Sequence, residues 1–120
     1  MKYMLMIHDD QAAYTTAAKE QVSALYGGYM QFSEELRQSG RYLQGNPLQP
    51  AITATTVRIS GGKRVATDGP YAETKEQMGG YYLVNVADVD EAATIAEAIC
   101  KLHAWNSVAV EVRPVMEMDG

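Results

Sequence analysis

A chain of 120 residues holds one domain, which excludes a multidomain enzyme with a separate cofactor module. Its 47% hydrophobic and 21% charged residues are those of a soluble globular protein with one modest core; a deep, enclosed site would need a second subunit's help. Fifteen acids against ten bases give a net charge of −5, so nucleic acid and anionic membranes are not expected partners, since phosphate neutralisation needs a basic patch.

The acidity is uneven. Residues 85–120 carry seven acids and two bases, whereas residues 1–84 balance at eight against eight. The single cysteine, Cys100, can form neither an internal disulfide nor a multi-cysteine zinc site. The apolar start is short and runs into Asp9-Asp10, without a signal-peptide pattern or an 18-residue apolar span, so the expected location is cytoplasmic.

Residues 3–8 read as a strand, with Tyr3, Leu5 and Ile7 on one face and Met4, Met6 and His8 on the other. Both faces are largely apolar, so both need cover. A polar stretch leads into a long helical pattern for which Thr15 or Thr16 is the expected cap. Val22, Leu25, Tyr26, Tyr29, Phe32 and Leu36 recur at helical spacing, and Gly40 is a natural stop. Gly27 and Gly28 inside this helix cost about 1 kcal/mol each relative to alanine, so a close backbone contact or a kink is expected.

Residues 41–54, with Gly45, Pro47 and Pro50, read as an irregular connection with a short edge strand at Tyr42 and Leu43. Two strands, residues 55–60 and 63–67, then flank Gly61-Gly62, a strong hairpin signal. Asp68-Gly69-Pro70 ends the hairpin, and a polar loop or single helical turn runs to Gly79-Gly80. Residues 81–86 form a strand that is apolar on both faces. Asp88 to Glu91 resembles a capping box, opening a helix whose inward stripe is Ala92, Ile95, Ala96, Ile99 and Leu102. The last strand alternates Val108, Val110 and Val112 against Ala109, Glu111 and Arg113.

Strand, helix, hairpin, strand, helix, strand predicts a single α+β domain over residues 1–120: a ferredoxin-like sandwich, with two helices on one face of an antiparallel sheet. The uncovered face is expected to be buried by a second copy. Such a sheet-to-sheet homodimer would enclose a cavity between subunits.

Residues 68–82 read Asp-Gly-Pro-Tyr-Ala-Glu-Thr-Lys-Glu-Gln-Met-Gly-Gly-Tyr-Tyr. This run closely resembles the DGPF signature of the YCII-related superfamily, with Tyr71 where phenylalanine is usual. The likeness extends to Lys2-Tyr3-Met4-Leu5-Met6-Ile7, Glu34-Glu35-Leu36-Arg37 with Gly40, Leu48-Gln49-Pro50, Thr55-Thr56-Val57-Arg58 and Val110-Glu111-Val112-Arg113-Pro114-Val115, nearly the whole chain. The resemblance implies a dimeric α+β barrel, a group that includes small enzymes acting on lactones and aromatic rings. It also implies genomic proximity to extracytoplasmic-function sigma factors. Smaller YCII proteins carry a histidine on the first helix and an aspartate near its end, proposed as a catalytic pair. The matching positions here, counted back from Gly40, hold Tyr29 and Gln38. Gln38 cannot act as a base, so that pair does not carry over.

The loop at residues 68–76 is the densest cluster of functional side chains. A lysine between two glutamates at a cavity mouth can act as an acid or base, which makes Asp68, Glu73 and Lys75 catalytic candidates and Tyr71 and Thr74 ligand-binding ones. The plainer alternative is turn chemistry at Asp68-Gly69-Pro70, a local cap from Thr74 and Gln77, and charges that only solvate a surface turn. If the loop forms a site, Asp68, Glu73 and Lys75 should converge near His8 or Tyr14. His8 is the remaining catalytic candidate, because Asp10 two residues on would share its face and complete a proton-shuttling pair. Its alternative is a strand-end histidine bonded to backbone.

With His103 the only other histidine, no three-ligand metal site is expected. No cofactor is expected either, since phosphate loop, nucleophile elbow and dinucleotide fingerprint are all missing. Tyr14, a ligand-binding candidate, joins Tyr26, Tyr29, Tyr81 and Tyr82 as residues that either line a pocket or pack the core. Arg113 is expected to pair across strands with Glu111, and Cys100 to be inert. Two functions remain: a cofactor-free enzyme or binder holding a small molecule in the dimer cavity, and a non-catalytic regulatory module whose partner is a sigma factor.

Overall fold

A computed structural model describes residues 1–118; the last two residues of the expected domain, Asp119 and Gly120, lie outside the described residues. Period-two alternation makes β1 (Lys2–Asp9) a core strand: Tyr3, Leu5, Ile7 and Asp9 are buried on one face, Met4, Met6 and His8 half-buried on the other. It pairs antiparallel with β5 (Gln77–Asn85) and with β6 (Val108–Pro114). β2 (Tyr42–Pro47) adds to the far side of β5, for the order β2-β5-β1-β6. Helices α1 (Lys19–Gln38) and α2 (Val89–Leu102) pack Leu36, Ala92, Ile95 and Ile99 onto the face that holds Leu5, Tyr82 and Val84. The fold is α+β and consistent with a ferredoxin-like arrangement.

Two segments differ from expectation. The stretch read as irregular forms a six-residue edge strand, β2; Gly45 and Pro47 are tolerated there because its outer side has no ladder to complete. The hairpin, β3 (Thr55–Ser60) and β4 (Lys63–Asp68), is a separate two-stranded ribbon outside the main sheet. Its turn is as expected, since Gly61 and Gly62 both take positive φ, 57° and 75°. All its residues except Thr56 are exposed.

Helix starts follow local hydrogen bonding. Asp88 caps α2 by accepting the Glu91 N–H at 2.9 Å. Thr15 and Thr16 do not cap α1; they close a short 3-10 turn (Gln11–Thr15), donating to the carbonyls of Ala12 and Ala13. α1 begins later, where Gln21 Oε1 accepts the Ala18 N–H at 2.9 Å. A Cβ on Gly28 would meet Leu102 Cδ2 at 3.2 Å, the expected close contact, whereas Gly27 faces open space. Arg113 does pair with Glu111, but along its own strand. No helix among the described residues is long and apolar enough to cross a membrane.

Candidate functional site

α1 fully buries only Leu25 and Leu36, with Tyr29 and Phe32 partly buried against the core, which leaves space between the helix and the sheet. A cavity of about 970 Å³ occupies that space, lined by Ile7, Asp9 and Tyr82 from the sheet and by Tyr26 and Tyr29 from the helix. The alternation that buries Tyr3, Leu5 and Ile7 also turns Asp9 inward, where it is 4% exposed. Between Ile7 and His8 the register against β5 slips by one, so Ile7 faces Gly80, His8 faces Met78 and Gly79 is left as a bulge. A Cβ on Gly79 would lie 3.0 Å from Asp9 Oδ1, so the absent side chain makes room for the carboxylate.

A buried carboxylate needs donors, and three elements supply them. Tyr14, in the 3-10 turn, donates to Asp9 Oδ2 at 2.6 Å, and Asn106, before β6, donates to the same oxygen at 3.1 Å. Asn106 Nδ2 also reaches the Asp10 carbonyl at 3.4 Å, which turns its Oδ1 toward His103 Nδ1 at 2.9 Å. Asn106 Oδ1 can only accept, so Nδ1 carries a proton, and in the singly protonated ring Nε2 accepts the Tyr29 hydroxyl at 2.5 Å. His103 follows α2, its side chain is 1% exposed, and its Nδ1 lies 4.0 Å from Asp9 Oδ2. The result is a chain, Tyr29–His103–Asn106–Asp9–Tyr14, drawn from α1, the α2–β6 connection, β1 and the 3-10 turn.

Burial first, and then the Asp9 charge, hold the Tyr29 hydroxyl far above the ordinary tyrosine range. Tyr14 is raised likewise, by burial and then by its hydrogen bond to Asp9. Both are neutral donors. Chemically, a ligand proton can pass to the Tyr29 oxygen while Tyr29's own proton moves to His103 Nε2, leaving an imidazolium beside Asp9; the reverse transfer donates a proton. Among the described residues no group of three or more His, Cys, Asp or Glu side chains could hold a metal ion.

Of the residues expected from sequence, Tyr14 lines this cavity, together with Tyr26, Tyr29 and Tyr82; Tyr81 borders it, but its side chain belongs to the face of Met6, where its hydroxyl accepts from Gln44 and Asn46. His8 does not: it lies on the opposite face of β1, between Met78 and Ala109. Asp10 does not complete a pair with His8; it follows the strand and offers its backbone carbonyl to Asn106. Asp68, Glu73, Thr74 and Lys75 come together around a second depression of about 520 Å³. Gln11 lines both concavities, so the loop converges beside the turn that carries Tyr14, and away from His8. The loop has no helical turn; Thr74 donates to the Glu76 carbonyl, and Gln77 to those of Ala72 and Thr74. Tyr71 is 79% exposed, its ring 5.3 Å from the Arg58 guanidinium carbon. Asp9, His103 and Asn106 escaped the sequence reading. The parity of Tyr3, Leu5 and Ile7 signals Asp9; nothing local signals the other two.

The YCII-related domain family matches residues 1–119. The chain belongs to the YCII-related family. It is similar to an uncharacterised protein of Rhizobium meliloti (strain 1021), 30% identical over 115 residues that cover 96% of this chain and 92% of that one. In this YCII-related chain, the first-helix position matched to a histidine by resemblance holds Tyr29, and Tyr29 in turn reaches a histidine, His103.

Proposed function

We propose that this YCII-related protein, of the DGPF branch, binds a small and largely apolar molecule in the cavity between α1 and the sheet and presents to it a cofactor-free acid–base relay. The observation that carries this reading is the buried Tyr29–His103–Asn106–Asp9 chain opening on that cavity. Buried polar networks gain little stability over well-packed apolar groups, and a titratable chain ending in a concave space is where acid–base chemistry concentrates. The run from Asp68 to Glu76 supports the DGPF assignment, and Asp68, Glu73 and Lys75 flank the cavity through Gln11. The homodimer belongs to the same reading, with the open sheet face as its interface.

A fragment screen by thermal shift tests it, because a ligand at about one hundred times its Kd stabilises the native state by about 2.7 kcal/mol. Aromatic and aliphatic fragments are expected to raise the melting temperature and to move the Tyr29 and His103 ring resonances. A screen with no such fragment, or with fragments that move only residues of the open sheet face, overturns the reading.

A further inference from the structure

The cavity reading leaves the chemical class of the ligand open, and the charges inside the cavity narrow it. We infer that the ligand is an organic amine, bound as its protonated form by Asp9; this rests on the cavity reading above. Both donors to Asp9, Tyr14 and Asn106, reach the same oxygen, Oδ2. Among the described residues no buried side-chain nitrogen or oxygen lacks a partner, and no described hydrogen bond goes to Asp9 Oδ1. Oδ1 is therefore reached from the cavity, with free lone pairs on a residue 4% exposed.

Among the described residues no lysine or arginine pairs with Asp9. Glu34 and Arg37 also line the cavity, but Arg37 Nη1 lies 3.7 Å from Glu34 and its guanidinium stacks 4.7 Å over the Tyr42 ring. That pair neutralises itself at a solvent-exposed rim. His103 has both ring nitrogens partnered within the chain, by Tyr29 and Asn106, and its nearer nitrogen lies 4.0 Å from Oδ2, so it offers no N–H to Oδ1. A carboxylate ligand would meet a like charge at Asp9, whereas a protonated amine supplies the missing counter-charge and an N–H for Oδ1. The rings of Tyr14, Tyr26, Tyr29 and Tyr82 also line the cavity, and an aromatic face attracts an ammonium group. A single carboxylate without further ligands suits an organic monocation and not a divalent metal. The rest of the cavity, with Ile7, Leu25 and Met30 in its lining, takes an apolar body.

Calorimetric titration of the full chain with 2-phenylethylamine, 2-phenylethanol and 3-phenylpropionate tests the inference, with the Tyr29 and His103 resonances followed by NMR. The amine is expected to bind at least about tenfold more tightly than the alcohol or the acid. Asp9→Asn keeps an acceptor for Tyr14 and Asn106; it should weaken the amine on the order of thirtyfold and change the alcohol less than about twofold. An alcohol or acid that binds as tightly as the amine, with both resonances moving, overturns the amine and leaves the cavity reading standing. An amine preference that survives in folded Asp9→Asn overturns the role of Asp9. If none of the three probes moves either resonance, both the inference and the cavity reading fall. Should Asp9→Asn not fold, the order of the three affinities in the unaltered chain still decides.

Discussion

Asn106 has the most demanding position of any single side chain, since its amide faces a carboxylate and a carbonyl with one end and an imidazole N–H with the other. Replacing Asn106 with alanine strands a donor on His103 and takes one from Asp9. Such buried groups cost about 1–3 kcal/mol each, so urea unfolding should show a loss of at least about 2 kcal/mol. The tyrosines predict an alkaline effect. Tyr14 and Tyr29 are both raised above the ordinary value of 10.0, chiefly by burial. Above pH ~10 the unfolded chain releases these protons while the folded chain keeps them, so stability falls as pH rises past that value and is flat in this respect below it. Tyr29→Phe should flatten the alkaline fall in the urea midpoint; an unchanged slope would mean that Tyr29 is not held protonated by the fold. At this scale the sequence was half legible. Parity along β1 marks Asp9 as inward, whereas pairing His8 with Asp10 follows the other face of the same strand. His103 and Asn106 reach Asp9 only through the closure of β6 against β1.

At the scale of elements, the β5 bulge is the device that admits a carboxylate to the core. Gly79→Ala places a Cβ 3.0 Å from Asp9 Oδ1, so the carboxylate or the strand has to shift. Overpacking of this kind costs about 1–3 kcal/mol and should also move the Tyr14 and His103 resonances. The loop of residues 68–76 predicts the opposite. Its path is held by backbone and amide bonds, Gly69 N–H to Ala54 and Gln77 to Ala72 and Thr74, with none from Glu73 or Lys75 among the described residues. Glu73→Ala or Lys75→Ala should therefore change thermal stability by less than about 0.5 kcal/mol; unfolding of either variant would make the loop a structural clasp. Local signals announced most elements. Gly61-Gly62 marked the hairpin turn and Asp88 the start of α2, because both act within a few residues. β2 was obscured because Gly45 and Pro47 argue against a strand unless it is known to lie at an edge. Which sheet the hairpin joins is a long-range choice, and its alternation looks the same either way.

At the scale of the whole molecule, the chain is a slab of 48 × 48 × 19 Å with a radius of gyration of 16.2 Å. A compact chain of this length is expected near 14 Å, so the shape is spread out. The helices cover one face of the sheet only. On the other, Met4 stands beside Leu83, Met6 beside Tyr81 and His8 beside Met78, a mostly apolar strip rimmed by Glu111 and Arg113. Burying that strip against a second copy is the proposal that the resemblance and the two-faced apolar strands both support. The cavity described above lies on the helix side of the sheet, away from the strip that the proposed dimer would bury. In this proposal interface and ligand site are separable. Sedimentation velocity at micromolar concentration should give a dimer for the unaltered chain. Met6→Asp, which puts an unpaired charge at the centre of the strip, should give a monomer, since burying it costs several kcal/mol. The monomer should still bind 2-phenylethylamine within about threefold of the unaltered affinity, a difference of about 0.65 kcal/mol. An unaltered chain that stays monomeric removes the dimer. A Met6→Asp monomer that folds but loses the amine would return the ligand site to the space between two subunits.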